Sequence, residues 1–269
     1  MGASRYALAA LAAATAAVAA CGSSSTSSAV ASGASSSASS TADPLRDARL
    51  TVFAAASLTE AFNDGRTTLQ AAHPGLSLTY SFAGSQTLVT QVRNGAPADV
   101  IATADTSTMA ALVSAGLVET PRTFARNVLE IVVAPGNPKG IATLEDLARS
   151  DLKVVLEDPS VPAGKYARQI LQARSVTVRP VSEPLDVKSE LLAVEQGNAD
   201  AGIVYVTDVS AAGTAVTGVP IPAGENAVAT YPIAVVKATH SPAAARALVE
   251  DAAGGVLQQA LAARGFESP

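Results

Sequence analysis

Two serines stand where a strand-like run gives way to a helix-like one: Ser57 after Phe53-Ala54-Ala55-Ala56, and Ser85 after Phe82-Ala83-Gly84. Either hydroxyl can be a plain helix cap, and Ser57 with Glu60 three residues on has capping-box spacing. Either can instead donate to an anion, because a helix start carries unpaired N–H groups and partial positive charge. Two more helix starts share this character. In Asp158-Pro159-Ser160-Val161-Pro162-Ala163-Gly164 the prolines stiffen a loop that aims the amides of Ala163 and Gly164, and Pro184-Leu185-Asp186-Val187 opens another helix. Tyr205 ends the strand-like Gly202-Ile203-Val204-Tyr205, where its phenol is either a core hydroxyl or a further donor in a cleft. Several such ends converging on one cleft would hold an anion without any formal positive charge. The only carboxylate expected beside these donors is Asp186.

Other chemistries find little material. No Gly-x-Ser-x-Gly elbow surrounds either serine, and His73 and His240 sit in turn contexts, before Pro74-Gly75 and Ser241-Pro242. No catalysis and no cofactor is therefore expected. A single Cys excludes an internal disulfide and a multi-thiolate metal site. Asp99, Asp105, Asp158, Asp186 and Asp208 are scattered at element ends, where helix capping is a plainer account than cation binding. Eighteen Lys+Arg against 23 Asp+Glu, a net charge of −5, speak against nucleic acid held by the overall field. With no Trp, five Tyr and five Phe, stacked recognition of bases or sugars is equally poorly supplied.

The elements that must position these groups alternate. Strands are expected at Leu50–Ala55, Leu76–Phe82, Asp99–Thr103, Val128–Ala134, Leu152–Leu156, Thr177–Val181, Ala201–Tyr205 and Ala229–Val236. Helices are expected at Leu58–Ala72, Ser85–Arg93, Ser107–Ala115, Leu144–Ala148, Gly164–Ala173 and Leu185–Glu195, with the last forty residues helical. The rhythm indicates α/β with largely parallel sheets. The 269 residues allow two lobes of about 100 residues each. The long apolar runs Val128–Ala134 and Ala229–Val236 read as crossings between them, giving a hinge and a cleft. Lobe 1 is then 48–127 plus 235–269, and lobe 2 is 128–234.

The start of the chain reads as targeting. Arg5 precedes a small-residue apolar run from Leu8 to Ala20, too short to span a bilayer comfortably, so 1–20 is expected to be a signal peptide. The only cysteine, Cys21, follows Val18-Ala19-Ala20, which resembles a bacterial lipobox; lipidation of Cys21 is the implied outcome. The Ser/Ala-rich stretch within 21–47 buries too little apolar surface to fold and is expected to be a disordered tether.

Four motifs in order carry a wider resemblance: Val52-Phe53-Ala54-Ala55-Ala56-Ser57-Leu58, Gly95-Ala96-Pro97-Ala98-Asp99-Val100, Val161-Pro162-Ala163-Gly164 and Gly202-Ile203-Val204-Tyr205. Together with Tyr231-Pro232-Ile233-Ala234-Val235-Val236 and Gly265-Phe266, they resemble the molybdate-binding proteins of ABC-type importers over essentially all of 49–269. The resemblance implies a two-lobed type II periplasmic-binding-protein fold, each lobe a mixed sheet flanked by helices. It implies a tetrahedral oxoanion, molybdate and with it tungstate, held by Ser57, Ser85, the backbone amides of Ala163 and Val187, and Tyr205. Metal would enter only as that oxoanion. The chain departs from the family's serine-rich second run, where Ser85 stands alone, and Val187 is placed through a looser match. Delivery to a membrane permease, a lipid anchor on the extracytoplasmic face of the cell membrane, and a monomer are further implications. A binder of another oxoanion, such as sulfate, is the alternative on the same fold.

Overall fold

The computed structural model describes residues 43–269. The signal peptide expected at 1–20, the lipidation expected at Cys21 and the part of the expected tether up to residue 42 lie outside them. The apolar run of β1 (Arg49–Ala55) pairs in parallel with β2 (Ser77–Ala83) on one side and β3 (Val100–Ala102) on the other. A 3-10 turn, Ala56–Leu58, leads from β1 into α1 (Thr59–Ala72); α2 (Ser85–Arg93) follows β2, and α3 (Thr106–Ser114) follows β3. Then β4 (Arg122–Val133) begins well before the expected Val128 and changes partners along its length. Its first half, Arg122–Val128, runs antiparallel to β7 (Val228–Val235), while Leu129–Val133 runs antiparallel to β5 (Ala201–Tyr205) and β6 (Thr217–Pro220). Since β7 also pairs antiparallel with β3, the strand order is β2-β1-β3-β7-β4-β5, with β6 on β4.

Helices α4 (Pro162–Ala173) and α5 (Val187–Glu195) lie in the second half, α6 (Val206–Ala212) follows β5, and α7 (Pro242–Gly254) and α8 (Val256–Ala263) close the chain. Every residue of β5 is buried, as expected of an apolar strand covered on both faces.

Several expectations need correction. The sheet is mixed: two strand pairings are parallel and four antiparallel, because β4 and β7 return against their neighbours. Leu152–Leu156 forms no full strand, only isolated bridges of Val154 to Ala201 and Val155 to Ser182, and Thr177–Val181 forms no strand. Pro180, which has no N–H to give a ladder, stands in the second run. Leu144–Ala148 is reduced to a short 3-10 turn, Glu145–Ala148. Helix α6 was hidden by Val206-Thr207, β-branched residues that read as a continuation of β5. The folded body also starts before residue 48. Leu45 is 3% exposed, the Asp47 N–H donates to Pro74 O at 3.0 Å, and Asp43 Oδ2 lies 2.8 Å from His73 Nδ1.

Candidate functional site

All five residues singled out as donors, Ser57, Ser85, Ala163, Val187 and Tyr205, line one small cavity. They reach it from four helix starts and one strand end. The two serines do not cap. The composite helix starts at Ala55, in extended conformation (φ −52°, ψ 143°), so Ser57 lies inside the first turn. Glu60 bonds Lys188 Nζ at 2.8 Å and closes no capping box. Ser85 is likewise the first residue of α2, behind Gly84. Both hydroxyls are thereby left for other work.

Ser85 Oγ accepts the Ala104 N–H at 3.0 Å, so its own proton is available for the cavity. Ser57 Oγ is 3.0 Å from Tyr231 Oη, a pair in which either oxygen can donate. Tyr205, 1% exposed, packs its ring edge-on to Tyr231 at 5.8 Å, yet its Oη has no partner. A buried hydroxyl left unpaired is rare in folded proteins and marks a place where a ligand oxygen fits. Burial pushes both phenols well above their ordinary range, so they remain neutral donors.

The amides come from α4 and α5. Val161 (φ −98°, ψ 158°) precedes Pro162 at the first helical position, which needs no N–H there and sets the turn for Ala163. Asp186 caps α5, its Oδ1 accepting the Ser189 N–H at 2.9 Å, which turns the first-turn amide of Val187 outward without an intrahelical acceptor. The capping account also holds for Asp105, which accepts the Thr108 N–H at 2.6 Å.

Three buried carboxyl groups stand behind the donors, and sequence reasoning missed their grouping. Glu157, 3% exposed, lines the cavity, and its Oε2 accepts the Gly164 N–H at 3.1 Å. Glu190 accepts the Glu157 N–H and the Ile203 N–H, each at 2.7 Å. Asp208 lies 2.9 Å from Lys188 Nζ. Burial raises all three: Glu157 well above the usual carboxylate range, Glu190 to about 8 and Asp208 to about 6. The one available signal was Gly202, where a Cβ would come within 2.6 Å of Glu190 Oε1. Asp186 is therefore not the only carboxylate beside the donors.

Among the described residues no group of three or more His, Cys, Asp or Glu is placed to hold a metal ion, and no helix is long and apolar enough to cross a membrane.

Comparison with known proteins agrees with this architecture. Residues 50–267 match the family model of the bacterial extracellular solute-binding proteins. The molybdate-binding protein ModA of Mycobacterium tuberculosis H37Rv is 44% identical over 230 residues, 85% of this chain and 88% of that one. Among solved structures, the periplasmic molybdate-binding protein of Azotobacter vinelandii superposes with a TM-score of 0.70 at 20% identity, covering 82% of this chain and 99% of that one. The sulfate-binding protein SubI of Mycobacterium tuberculosis gives 0.69 at 24% identity, over 81% and 86% of the two chains. The architecture is that of the type II periplasmic binding proteins. On the match along its length and its identity to curated members, this chain belongs to the bacterial extracellular solute-binding proteins, in the family that includes ModA.

Proposed function

We propose that the protein captures molybdate in this cavity and hands it to an ABC-type permease. The observation that carries the reading is the unpaired, buried Tyr205 hydroxyl, which shares one cavity with two uncapping serine hydroxyls and the helix-start amides of Ala163 and Val187. Burying a dianion is costly unless hydrogen bonds replace its water, and charge-assisted bonds from neutral N–H and O–H groups do so. The 44% identity to a molybdate-binding relative supports the choice of oxoanion. Tungstate, with the same charge and nearly the same size, belongs to the same proposal.

The lobes 48–127 plus 235–269 and 128–234, crossing at β4 and β7, are part of the reading, as are a monomer and the absence of catalysis. So is the lipid anchor on Cys21, which would hold the protein on the extracytoplasmic face. It rests on Val18-Ala19-Ala20-Cys21.

Thermal denaturation with molybdate, tungstate, sulfate and phosphate tests the proposal. Ligand at 100 times its dissociation constant adds about 2.7 kcal/mol, a rise in Tm of about 5–10 °C for a domain of this size. The expected result is that rise with molybdate and tungstate and little with phosphate. A shift confined to sulfate would replace the ligand, and no shift with any oxoanion would remove the reading.

A further inference from the structure

Glu157 is a carboxyl group of the cavity wall that accepts a first-turn amide of α4, a contact that lowers its pKa but that burial outweighs. It sits immediately before the loop that starts α4, and the amide it engages, Gly164 N–H, is one residue beyond Ala163. The charged groups nearest it are acidic: Glu190 and Asp186 from α5, and Asp208 from α6. From β5 the Tyr205 phenol lines the same cavity. The basic side chains of this region are engaged elsewhere. Lys188 pairs with Glu60 and Asp208, Lys165 on α4 with Asp105, and Arg168 on α4 with Glu183. Glu190, itself a carboxyl group held by two backbone amides, adds to the acidic surroundings of Glu157.

A carboxylate in that position would confront a dianion at close range, in a site that holds little water and no counter-cation. The repulsion there would exceed what any single hydrogen bond of the cavity contributes. Building on the oxoanion reading, we propose that Glu157 stands in the cavity wall as a neutral carboxylic acid and is a specificity-determining residue. Its proton keeps the wall free of negative charge and open to a dianion. Burial and the neighbouring Glu190 act in the same direction, holding the group far above the ordinary carboxylate range. Ionised, Glu157 would be acceptor-only, and the cavity would turn toward oxoanions that bring a proton of their own.

Infrared difference spectra of the full-length protein against Glu157→Gln, at pH 7 with and without molybdate, test the assignment together with calorimetric titration of molybdate from pH 6 upward. The variant is expected to lose one carbonyl band of a protonated carboxylic acid, and in the wild type that band should move when molybdate is added. Glu190→Gln serves as a second variant, removing a different band that molybdate leaves in place. Wild-type affinity is expected to fall toward tenfold per pH unit above the pH at which the Glu157 band disappears, and this alkaline fall should be absent from Glu157→Gln. A spectrum at pH 7 from which Glu157→Gln removes no such band overturns the proposal, as does an alkaline fall that persists unchanged in the variant. A wild type that shows the band yet binds no molybdate overturns the oxoanion reading instead, with the neutral acid still in place.

Discussion

A buried hydroxyl without a partner costs the folded chain the hydration it gave up, about 1–3 kcal/mol, and Tyr205 Oη is in that position. Tyr205→Phe should therefore leave the ligand-free protein as stable as the wild type or more so. The same change removes a charge-assisted bond to the oxoanion, worth about 1.5–3 kcal/mol, or roughly 10–150-fold in affinity. Urea denaturation and calorimetry on the one variant read both effects, and an unchanged molybdate affinity would exclude the phenol from the site. Ser85 differs, because its Oγ also satisfies the Ala104 N–H, so its loss would leave a buried amide unpaired as well as a ligand unheld. At this scale the sequence was legible where the signal is local. Small residues followed by Ser at a strand-to-helix junction mark an exposed helix start whatever the rest of the fold does. Glu157 and Glu190 were not legible, since burial and the absence of a counter-ion depend on what α5, α6 and β5 bring beside them.

Two elements meet closely where α2 faces the loop before α5. A Cβ on Gly84 would come within 2.0 Å of Leu185 O, and the adjacent Gln86 Nε2 donates to that same carbonyl at 3.2 Å. Gly84 has ordinary backbone angles (φ −57°, ψ 139°), so alanine there strains no dihedral; only the approach of the two elements forbids it. Overpacking of this kind costs about 1–3 kcal/mol. If the halves open and close around the cavity, that cost falls on the closed form alone. Gly84→Ala is thus expected to weaken molybdate binding by roughly 5–150-fold while moving the ligand-free Tm little. Equal losses of stability and affinity would instead place the contact in the resting fold. The strands of the first half were readable from sequence because β1 and β2 are paired along their whole length. Leu152–Leu156 has the same apolar composition but makes only isolated bridges, to Ala201 and Ser182.

Over the whole molecule, a chain of net charge −5 that takes up a dianion must keep its negative groups away from the cavity, neutral within it or paired. Asp105 is compensated by pairing: Lys165 lies 2.5 Å away and, with the Thr108 amide, lowers its carboxyl despite burial. Glu157 and Glu190 follow the second course, whereas Asp208, raised only to about 6, is paired with Lys188; the three raised groups fix how stability depends on pH. In the unfolded chain all three lose their protons near pH 4, whereas the folded chain retains them until about pH 6 at Asp208 and about pH 8 at Glu190, and burial raises Glu157 in the same sense. Across that interval the unfolded state binds fewer protons than the folded one, so stability falls as pH rises. The lowered carboxyl groups, buried Asp105 and the more exposed Asp43, Glu119, Glu145, Asp146, Asp151 and Asp158, act in the opposite sense, but their contribution is complete once pH exceeds their unfolded values near 4. The ligand-free protein should accordingly be most stable near pH 5, with a Tm roughly 5 °C or more above that at pH 8.5. Thermal melts at the two pH values in the absence of oxoanion decide the matter. A stability that climbs from pH 5 to 8.5 would mean that these carboxyl groups are ionised in the folded protein. The acidic cluster behind the helix starts would then oppose dianion binding, and the cavity would need a cation that its described residues do not supply.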